Sequence, residues 1–427
     1  MEMRDFVVRF AGEGGQGVVT SAEGLAQAAT QVGYHAQTFA TFPSQIMGGP
    51  TWTQARIAVD PVLSAGDDVD VLVAFNQDAY DEHNSEVRDE GVIIFNSNEF
   101  QLEGDSRGFG LPFDEIARST GNNRAANMVI IGALAHLVDM PQQYLEEFVT
   151  KRFTRGRSGD EEIIRSNIQA MTLGREHISE SGLALGALAA PNPPDFAQIM
   201  LKGNEALALG ALAGGLDFYV GYPISPATTI LLYMERNLVG EGKFAHQVSS
   251  EIESITAILG AGFAGKKAMT ATAGPGFSLM SEGLGLGWIA EIPLVVVDVQ
   301  RGGPATGLPT KTEQSDLMAC MFPAHGDVKM PIIAVGTVEE CFYGAIKALT
   351  WSERYQGPVI LMTEMALAER VQNIAKPDLS QVEDQRRQVY EGTNGYHRYA
   401  GFELSPMPLP GNPGAYVANG SEHDDMG

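Results

Sequence analysis

Short apolar segments that resemble β-strands alternate along this chain with Ala-rich segments that resemble helices, and glycine-containing turns often separate them. Strands joined by crossover helices form parallel sheets, so this alternation predicts an α/β fold with parallel sheets. Small residues in Glu205–Ala213 and Ser254–Ala264 would let these helices pack closely on a sheet. The predicted strands are Phe6–Phe10, Val71–Phe75, Val92–Phe95, Phe218–Tyr222, Ala268–Ala273, Leu294–Val299, Ile332–Val335 and Val359–Thr363.

A proline-rich segment divides these predicted elements into two sets. Three of the four residues at positions 191–194 are proline, a composition that neither a helix nor a central strand tolerates. We therefore predict one α/β domain over residues 1–188, a linker over 189–198 and a second α/β domain over 199–375. Residues 376–427 show no clear periodicity and are rich in Pro, Gly, Asn and Asp toward their end, which predicts an irregular segment that lies over another part of the protein.

Composition excludes several classes of function. The formal net charge of −25 argues against a nucleic-acid partner, which requires a basic surface. The longest apolar stretch is interrupted by Glu282, Glu291 and Asp298, and the first residues lack the apolar core of a signal peptide, so we expect a cytoplasmic protein with no membrane partner. The two cysteines, Cys320 and Cys341, are too few to hold an iron–sulfur cluster alone, and we expect reduced thiols.

The first predicted strand runs into a glycine-rich loop that satisfies the pattern G-x-G-x-x-G before a helix begins near Val18. A dinucleotide site would also need an acidic residue about 20 positions later, but residues 32–42 contain neither Asp nor Glu. The loop is therefore open to three interpretations: a tight turn without a ligand, a phosphate site or a partner surface. A second glycine-containing segment, 42–51, is either a plain loop or a contact surface. The residues of interest in the first loop are Gly12, Gly14, Gly15, Gln16 and Gly17.

Two prolines bracket a serine in the segment 222–226, at the predicted carboxyl end of a strand. Open α/β sheets bind ligands at this end of their strands. A rigid turn there would present the hydroxyl of Ser225 and nearby backbone amides to a carboxylate. The alternative is a stiff connection whose hydroxyl groups cap the next helix.

Glu251 stands at the beginning of an apolar, glycine-rich helix that we expect to be buried. A carboxylate in such a position is costly unless it is paired or functional, although an acid in the first turn also interacts favourably with the helix dipole. The next predicted strand ends at Gly274–Phe277, where glycines would permit a ligand to approach the backbone closely.

The segment that follows the predicted strand Leu294–Val299 concentrates basic and hydroxyl side chains within about a dozen residues. Arg binds a carboxylate with two parallel hydrogen bonds and Lys binds it as a point charge, so this composition suits a small carboxylated substrate. A solvated polar loop is the alternative. The candidates are Arg301, Thr306, Lys311 and Thr312.

Together these segments resemble the 2-oxoacid:ferredoxin oxidoreductase family. Tyr-Pro-Ile-Ser-Pro at 222–226 is similar to that family's Tyr-Pro-Ile-Thr-Pro signature, and the motifs at 271–280 and 301–317 resemble its 2-oxoglutarate branch. Gly-Glu-Gly-Gly-Gln-Gly-Val at 12–18 resembles the hallmark of the family's gamma domain. The resemblance implies a gamma-type domain followed by the domain that binds the pyrimidine of thiamine diphosphate.

The resemblance also assigns roles to the candidate residues. Glu251 would be the cofactor glutamate that hydrogen-bonds N1′ of the aminopyrimidine and favours the imino tautomer, with Glu253 as the less favoured candidate. Ser225 stands where the family often has a threonine that contacts the substrate's 1-carboxylate. The implied cofactor-binding residues are Tyr222, Pro223, Ile224, Glu251, Gly274 and Phe277, and the implied substrate-binding residues are Ser225, Arg301, Thr306, Lys311 and Thr312.

Two features of the family are absent from these residues: a Gly-Asp-Gly motif for magnesium diphosphate, and a cysteine set for a cluster. The resemblance therefore implies a beta subunit that supplies the diphosphate site, Mg²⁺ and a [4Fe–4S] cluster in an α2β2 assembly, without which this chain is expected to be inactive. Residues 376–427 resemble the family's linker toward a transketolase-C-like domain, which this sequence does not include.

The implied reaction is the CoA-dependent oxidative decarboxylation of 2-oxoglutarate to succinyl-CoA and CO₂, or its reverse, with electrons exchanged with ferredoxin. Pyruvate or another 2-oxoacid is the alternative substrate. A nucleotide-linked dehydrogenase built on the first glycine loop, and a non-catalytic assembly subunit, are the alternatives outside this chemistry.

Overall fold

The computed structural model describes residues 2–41, 48–192, 196–382, 384–392, 396–399, 401, 403–412, 419–421 and 423–424. The strands are β1 (Glu2–Met3), β2 (Asp5–Glu13), β3 (His35–Thr41), β4 (Pro50–Ala58), β5 (Val69–Ala74), β6 (Val87–Asn96), β7 (Gly108–Leu111), β8 (Ala187–Leu188), β9 (Gln198–Lys202), β10 (Phe218–Gly221), β11 (Phe244–Gln247), β12 (Ala268–Thr272), β13 (Leu294–Gln300), β14 (Ile332–Ala334), β15 (Pro358–Glu364) and β16 (Val371–Ala375).

The helices cover most of the connections between these strands. They are α1 (Val18–Val32), α2 (Gln77–His83), α3 (Phe113–Ser119), α4 (Ala126–Leu137), α5 (Gln142–Phe153), α6 (Asp160–Ser179), α7 (Gly203–Ala213), α8 (Thr228–Asn237), α9 (Glu251–Phe263), α10 (Gly274–Ser278), α11 (Ser281–Ile289), α12 (Leu317–Met321), α13 (Val338–Tyr355) and α14 (Met365–Glu369), with 3₁₀ turns at Asn84–Glu86 and Leu379–Gln381. Within the described ranges, no helix is both long enough and apolar enough to span a bilayer.

The chain forms two compact units, each with its own sheet. The first unit comprises residues 1–200 and 370–375, and the second comprises 201–369 and 376–427. This division differs from the predicted one at β16, which we placed in the second domain. β16 instead pairs antiparallel with β3, and Asn373 accepts a hydrogen bond from the backbone N–H of Ala36 at 2.9 Å.

The sheet of the first unit has the strand order β7-β6-β5-β2-β4-β3-β16-β9. The predicted strands β2, β5 and β6 are parallel, β7 adds a parallel strand that was not predicted, and helices α1, α4, α5 and α6 supply much of the core against them. β4 is antiparallel to both β2 and β3, so this sheet is mixed and not fully parallel. The sequence did not predict β3 and β4 because buried polar residues, including Gln37, Thr38 and Gln54, interrupt their apolar pattern.

The sheet of the second unit is parallel, with the strand order β11-β10-β12-β13-β15-β14. Its predicted strands are present with ends shifted by one or two residues, and the predicted α/β class is confirmed. β11, which follows β10 in the chain, lies on one side of β10, and β12 lies on its other side, where the sheet continues to β13. The carboxyl ends of β10 and β12 therefore flank a crevice of the kind in which α/β sheets bind ligands.

Candidate active site

Four connections of the second unit begin at the carboxyl edge of its sheet. The turn 222–226 follows β10, Glu251 opens the helix after β11, Gly274 opens the helix after β12, and Arg301 directly follows β13. Because parallel strands end at the same edge, segments that lie far apart in the sequence meet there. This edge is the candidate site.

Glu251 is the first residue of α9 and is only 6% exposed. Its carboxylate has no hydrogen-bond or ion-pair partner among the described residues. Glu253, the other acid of this turn, is exposed and accepts hydrogen bonds from both the backbone N–H and the hydroxyl of Ser249, at 2.7 and 2.6 Å. Ser250 caps the same helix by accepting from the backbone N–H of Glu253. Glu253 therefore serves the helix end, while Glu251 presents an unsatisfied acceptor.

The turn after β12 approaches this carboxylate closely. A Cβ atom added to Gly276 would lie 2.1 Å from Oγ1 of Thr272 and 2.6 Å from Oε1 of Glu251. Only glycine fits at this position without displacing those side chains. Phe277, which we expected to line the cofactor, is 2% exposed and packs in the hydrophobic core instead, so its ring supports the turn from beneath.

Arg301 is 6% exposed, and its NH1 group donates a 2.7 Å hydrogen bond to the backbone carbonyl of Ser225. Burial lowers the pKa of Arg301, and the negative charge of Glu251 acts in the opposite direction. Nε of Arg301 is buried and has no partner in the part of the chain that the structure describes. Asn204 fixes the serine-containing turn by donating to the carbonyl of Pro226 at 3.0 Å. The site thus contains a guanidinium group with unused donors.

A cleft of about 550 Å³ opens beside these residues. Its walls include Gly274, Arg301, Thr306, Glu313 and Asp316. The volume and the mixture of backbone and charged groups suit part of a small polar ligand.

The structure brings together five of the predicted residues, namely Glu251, Ser225, Arg301, Gly274 and Thr306. Tyr222 is exposed at the end of β10, and Pro223 and Ile224 are half-buried. Lys311 and Thr312 are exposed and do not belong to the cleft wall. Lys311 instead closes its own loop, because its carbonyl accepts from the backbone N–H of Gly302 at 2.8 Å.

Sequence reasoning missed three polar residues at this edge. Thr272 and Asp298 are completely buried, and Asp316 lines the cleft. Asp298 did leave a signal, since it is the single acidic residue of the otherwise apolar strand Leu294–Gln300. Thr272 and Asp316 are ordinary residues in turn-forming contexts, and only the fold brings them to the site.

The glycine-rich loop of the first unit is a compact turn. β2 continues to Glu13, and α1 begins at Val18, as predicted. Oε1 of Gln16 accepts the backbone N–H of Glu13 at 2.7 Å, and Gly15 and Gly17 have φ values of +102° and +91°. These features agree with the tight-turn interpretation. Of the second glycine-containing segment, residues 42–47 lie outside the described residues.

Both units match models of one protein family. Residues 7–177 match "Pyruvate ferredoxin/flavodoxin oxidoreductase", and residues 209–427 match "Pyruvate flavodoxin/ferredoxin oxidoreductase, thiamine diP-bdg".

Individual proteins are similar over most of the chain. The 2-oxoglutarate oxidoreductase subunit KorA of Mycobacterium tuberculosis is 30% identical over 96% of this chain and 69% of its own length. The 2-oxoacid:ferredoxin oxidoreductase 2 alpha subunit of Aeropyrum pernix is 28% identical over 100% of this chain and 76% of its own. A solved structure, 2-oxoglutarate:ferredoxin oxidoreductase from Magnetococcus marinus with 2-oxoglutarate, coenzyme A and succinyl-CoA bound, is 36% identical with a TM-score of 0.92, covering 100% of this chain and 75% of that one. The chain therefore belongs to the pyruvate ferredoxin/flavodoxin oxidoreductase family.

Proposed function

We propose that this chain is the alpha subunit of a 2-oxoglutarate:ferredoxin oxidoreductase that interconverts 2-oxoglutarate and CoA with succinyl-CoA and CO₂. The observation that carries the proposal is the buried, unpartnered carboxylate of Glu251 against the glycine turn at Gly276. The similarity to proteins named for 2-oxoglutarate, one of them solved with 2-oxoglutarate and succinyl-CoA, supports this substrate over pyruvate.

The residues fit thiamine diphosphate. A buried carboxylate without a donor is costly, and a protonated ring nitrogen of the aminopyrimidine would satisfy it. The absence of a Cβ at Gly276 leaves the backbone close to that carboxylate. When bound, thiamine diphosphate supplies a nucleophilic carbon and an electron sink for decarboxylation. Glu251 accepts the hydrogen bond from N1′ and holds its proton, which orients the pyrimidine.

Arg301 is the proposed binding group for a carboxylate of the oxoacid. One N–H of its guanidinium is engaged by Ser225, which fixes the orientation of the group, and Nε is unused. The hydroxyl groups of Ser225 and Thr306 complete this part of the proposed pocket. Lys311 and Thr312 remain candidates for binding the substrate's carboxylates, although both are exposed in this chain.

A protein partner is proposed at the same edge, because large apolar side chains flank each segment of the site. Ile252 follows Glu251, Leu279 follows the Gly276 turn, and Leu317 with Met318 follows the Arg301 loop, and these side chains are 52–62% exposed. Clustered exposed apolar residues indicate an interaction surface. We propose that a beta subunit covers them and supplies the diphosphate site, Mg²⁺ and a [4Fe–4S] cluster in an α2β2 complex that reduces ferredoxin.

We propose the cytoplasm as the location of this activity. Cys320 and Cys341 are both buried and are not joined in a disulfide, as expected in a reducing compartment.

The test uses the complex of this chain with its partner subunit. We expect 2-oxoglutarate- and CoA-dependent reduction of a low-potential acceptor, with lower rates on pyruvate and branched 2-oxoacids, and no activity of the isolated chain. Glu251→Gln should lower kcat by about 10³-fold, because it removes the charge that holds the N1′ proton. Glu253→Gln, the same change two residues away on an exposed acid, is the matched control. Equal activity of the two variants would favour a non-catalytic assembly subunit instead.

A further inference from the structure

The connection between β13 and α12, residues 301–316, carries Arg301 and Thr306, and we name it the substrate loop. Its beginning is fixed where Arg301 donates to Ser225. Its middle is closed by the backbone hydrogen bond from Gly302 to Lys311. The contacts that fix its far end therefore determine the shape of the cleft.

Asp316 ends the substrate loop and rests on the sheet. Its backbone N–H donates to Oε1 of Gln300 at 3.1 Å. Its carboxyl group lies against Gly274, where an added Cβ would be 2.7 Å from Oδ2 of Asp316. The same carboxyl group is part of the cleft wall. A displacement of Asp316 would therefore change both the cleft and the turn after β12.

Asp298 is two residues before Gln300 on β13, so its side chain points to the same face of the sheet as the Gln300 side chain that accepts from Asp316. It is completely buried. Its partners across the sheet, Thr272 on β12 and Met362 on β15, carry no charge. From α12 the thiol of Cys320 donates to Oδ2 of Asp298 at 3.6 Å. No Lys, Arg or His of the described residues forms an ion pair with Asp298 or Asp316. The charged group that faces Asp298 is thus another carboxyl group.

Neither carboxyl group is satisfied if both are ionised. Oδ1 of Asp298 and Oδ2 of Asp316 are buried without a hydrogen-bond donor among the described residues. Burial, followed by the negative charge of Asp316, raises the pKa of Asp298 to about 8. Burial and the charge of Glu313 also raise the pKa of Asp316. One proton between the two carboxyl groups would give each of these buried oxygens a partner. Two neighbouring acids that cannot both ionise share one proton, and their titration belongs to the pair.

We infer that Asp298 and Asp316 form a proton-sharing carboxyl pair that holds the far end of the substrate loop on β13, which makes Asp298 a positioning residue for the substrate. This inference deepens the proposed function and rests on it for the identity of the ligand. With the proton present, Asp298 and Asp316 attract each other and the cleft keeps its shape. Without it, two buried negative charges repel and Asp316 moves away from the strand.

The carboxyl pair predicts that binding of the oxoacid depends on pH. The loop is held below the pKa of the pair and released above it, so binding of the oxoacid weakens on the alkaline side. Because Asp316 lines the cleft and also lies against Gly274 in the turn after β12, the larger effect falls on KM through the cleft, and a smaller change in kcat follows through the turn. An amide in place of one carboxyl donates a hydrogen bond without titrating, which removes the pH dependence and keeps the anchor.

The experiment compares the wild-type complex with Asp298→Asn on both sides of about pH 8. Hydrogen–deuterium exchange of the amides 302–316, corrected for intrinsic rates, reports the loop, and KM for 2-oxoglutarate reports the site. In the wild type we expect protection to fall and KM to rise by up to about tenfold per pH unit above that value. In Asp298→Asn both quantities should stay flat. Glu241→Gln, an exposed acid remote from the loop, should behave as wild type.

The outcomes separate this inference from the proposed function. A wild-type complex without activity on any 2-oxoacid would contradict the proposed function, while the exchange data would still test the pair. Flat wild-type profiles, or the same alkaline transition in Asp298→Asn, would overturn the pair. If Asp298→Asn fails to fold, Asp316→Asn places the amide on the other side and must give the same flat profiles.

Discussion

Buried charged groups are incompletely paired at one edge of the second unit's sheet and ion-paired at the opposite edge. At the carboxyl edge, Glu251 has no hydrogen-bond donor among the described residues, Asp298 and Asp316 each keep a buried oxygen without a donor there, and Arg301 uses only part of its guanidinium group. At the amino edge, Lys267 is 1% exposed but donates to the carbonyl of Gly214 and to Asp384, both at 2.6 Å. Burial alone therefore does not distinguish a site from a structural network; incomplete pairing does.

The C-terminal segment completes the network at the amino edge. Arg386 and Lys243 both bind Asp217, at 2.6 and 3.0 Å. Arg387 binds Glu353 in a pair whose side chains are 3% and 2% exposed, and also donates to the carbonyl of Gly262. Irregular backbone is held in place here by ion pairs and by few regular hydrogen bonds. The amino edge therefore contributes stability, whereas the charged groups of the carboxyl edge are available to ligands.

The largest expected effect comes from breaking the Arg387–Glu353 pair. Glu353→Gln leaves the guanidinium group of Arg387 buried without a counter-charge. We expect the free energy of unfolding of the second unit to fall by about 3–5 kcal/mol, as measured by urea unfolding. Glu339→Gln, an exposed acid on the same helix, is the matched control and should stay within about 0.5 kcal/mol of wild type.

The kinetics of the same variant test whether the two edges have separate roles. The folded fraction of the Glu353→Gln complex should keep the KM and kcat of wild type, since the amino edge is remote from the cleft. Normal stability of this variant would contradict the structural role, and an altered KM would contradict the separation of roles.

The second prediction concerns the carboxyl edge, where the turn at Gly276 lies close to Glu251. Gly276→Ala places a methyl group 2.1 Å from Oγ1 of Thr272 and 2.6 Å from Oε1 of Glu251, so both groups must move. We expect kcat/KM of the complex to fall by about 100-fold, roughly 3 kcal/mol, with weaker binding in a thiamine diphosphate titration. The free energy of unfolding should fall by only about 1–2 kcal/mol.

Gly260→Ala provides the control for this substitution. Gly260 lies on the exposed side of α9, the helix that Glu251 begins, and an added Cβ meets no atom within 4 Å. Alanine there should stabilise the helix by about 0.5–1 kcal/mol and leave kcat/KM unchanged. If Gly276→Ala matched this control, the close approach to Glu251 would have no functional meaning.

The sequence predicted the second unit well because its signals are local. Five of its six strands are short runs rich in apolar residues, and the segments with Ser225 and Arg301 come after two of them. The strand before Glu251, β11, was not predicted, because Phe244–Gln247 is mostly exposed and half polar. The antiparallel pair β3 and β4 was missed because Gln37 and Gln54 are buried within it, and burial of polar residues becomes visible only in the fold.

Hydrogen bonds and ion pairs between distant residues could not be predicted from the sequence for the same reason. Ser249, which donates to Glu253, is four residues away from it. Lys243 and Arg386 are 26 and 169 residues away from Asp217, and Arg387 is 34 residues away from Glu353. Which acid is satisfied and which is left for a ligand depends on these long-range contacts. The motif at 301–317 likewise indicated a substrate loop, but not that Lys311 is exposed or that Asp298 and Asp316 each have a buried oxygen without a donor among the described residues.

The smallest expected effect tests the amino edge through pH. Burial raises the pKa of Asp217, but hydrogen bonds from Arg386 and Lys243 outweigh it and lower the pKa to about 2 from 3.8. A depressed folded-state pKa stabilises the protein above the unfolded value, and this contribution is lost as the pH falls from about 4 to about 2. It amounts to about 2 kcal/mol, so the difference in unfolding free energy between wild type and Asp217→Asn should shrink by that amount across this window. Urea unfolding of both proteins at each pH measures it. Because other carboxylates titrate in both proteins alike, a difference that stays constant with pH would mean that the ion pairs of Asp217 add nothing to stability, and the contrast between the two edges would then rest on the Lys267–Asp384 and Arg387–Glu353 pairs.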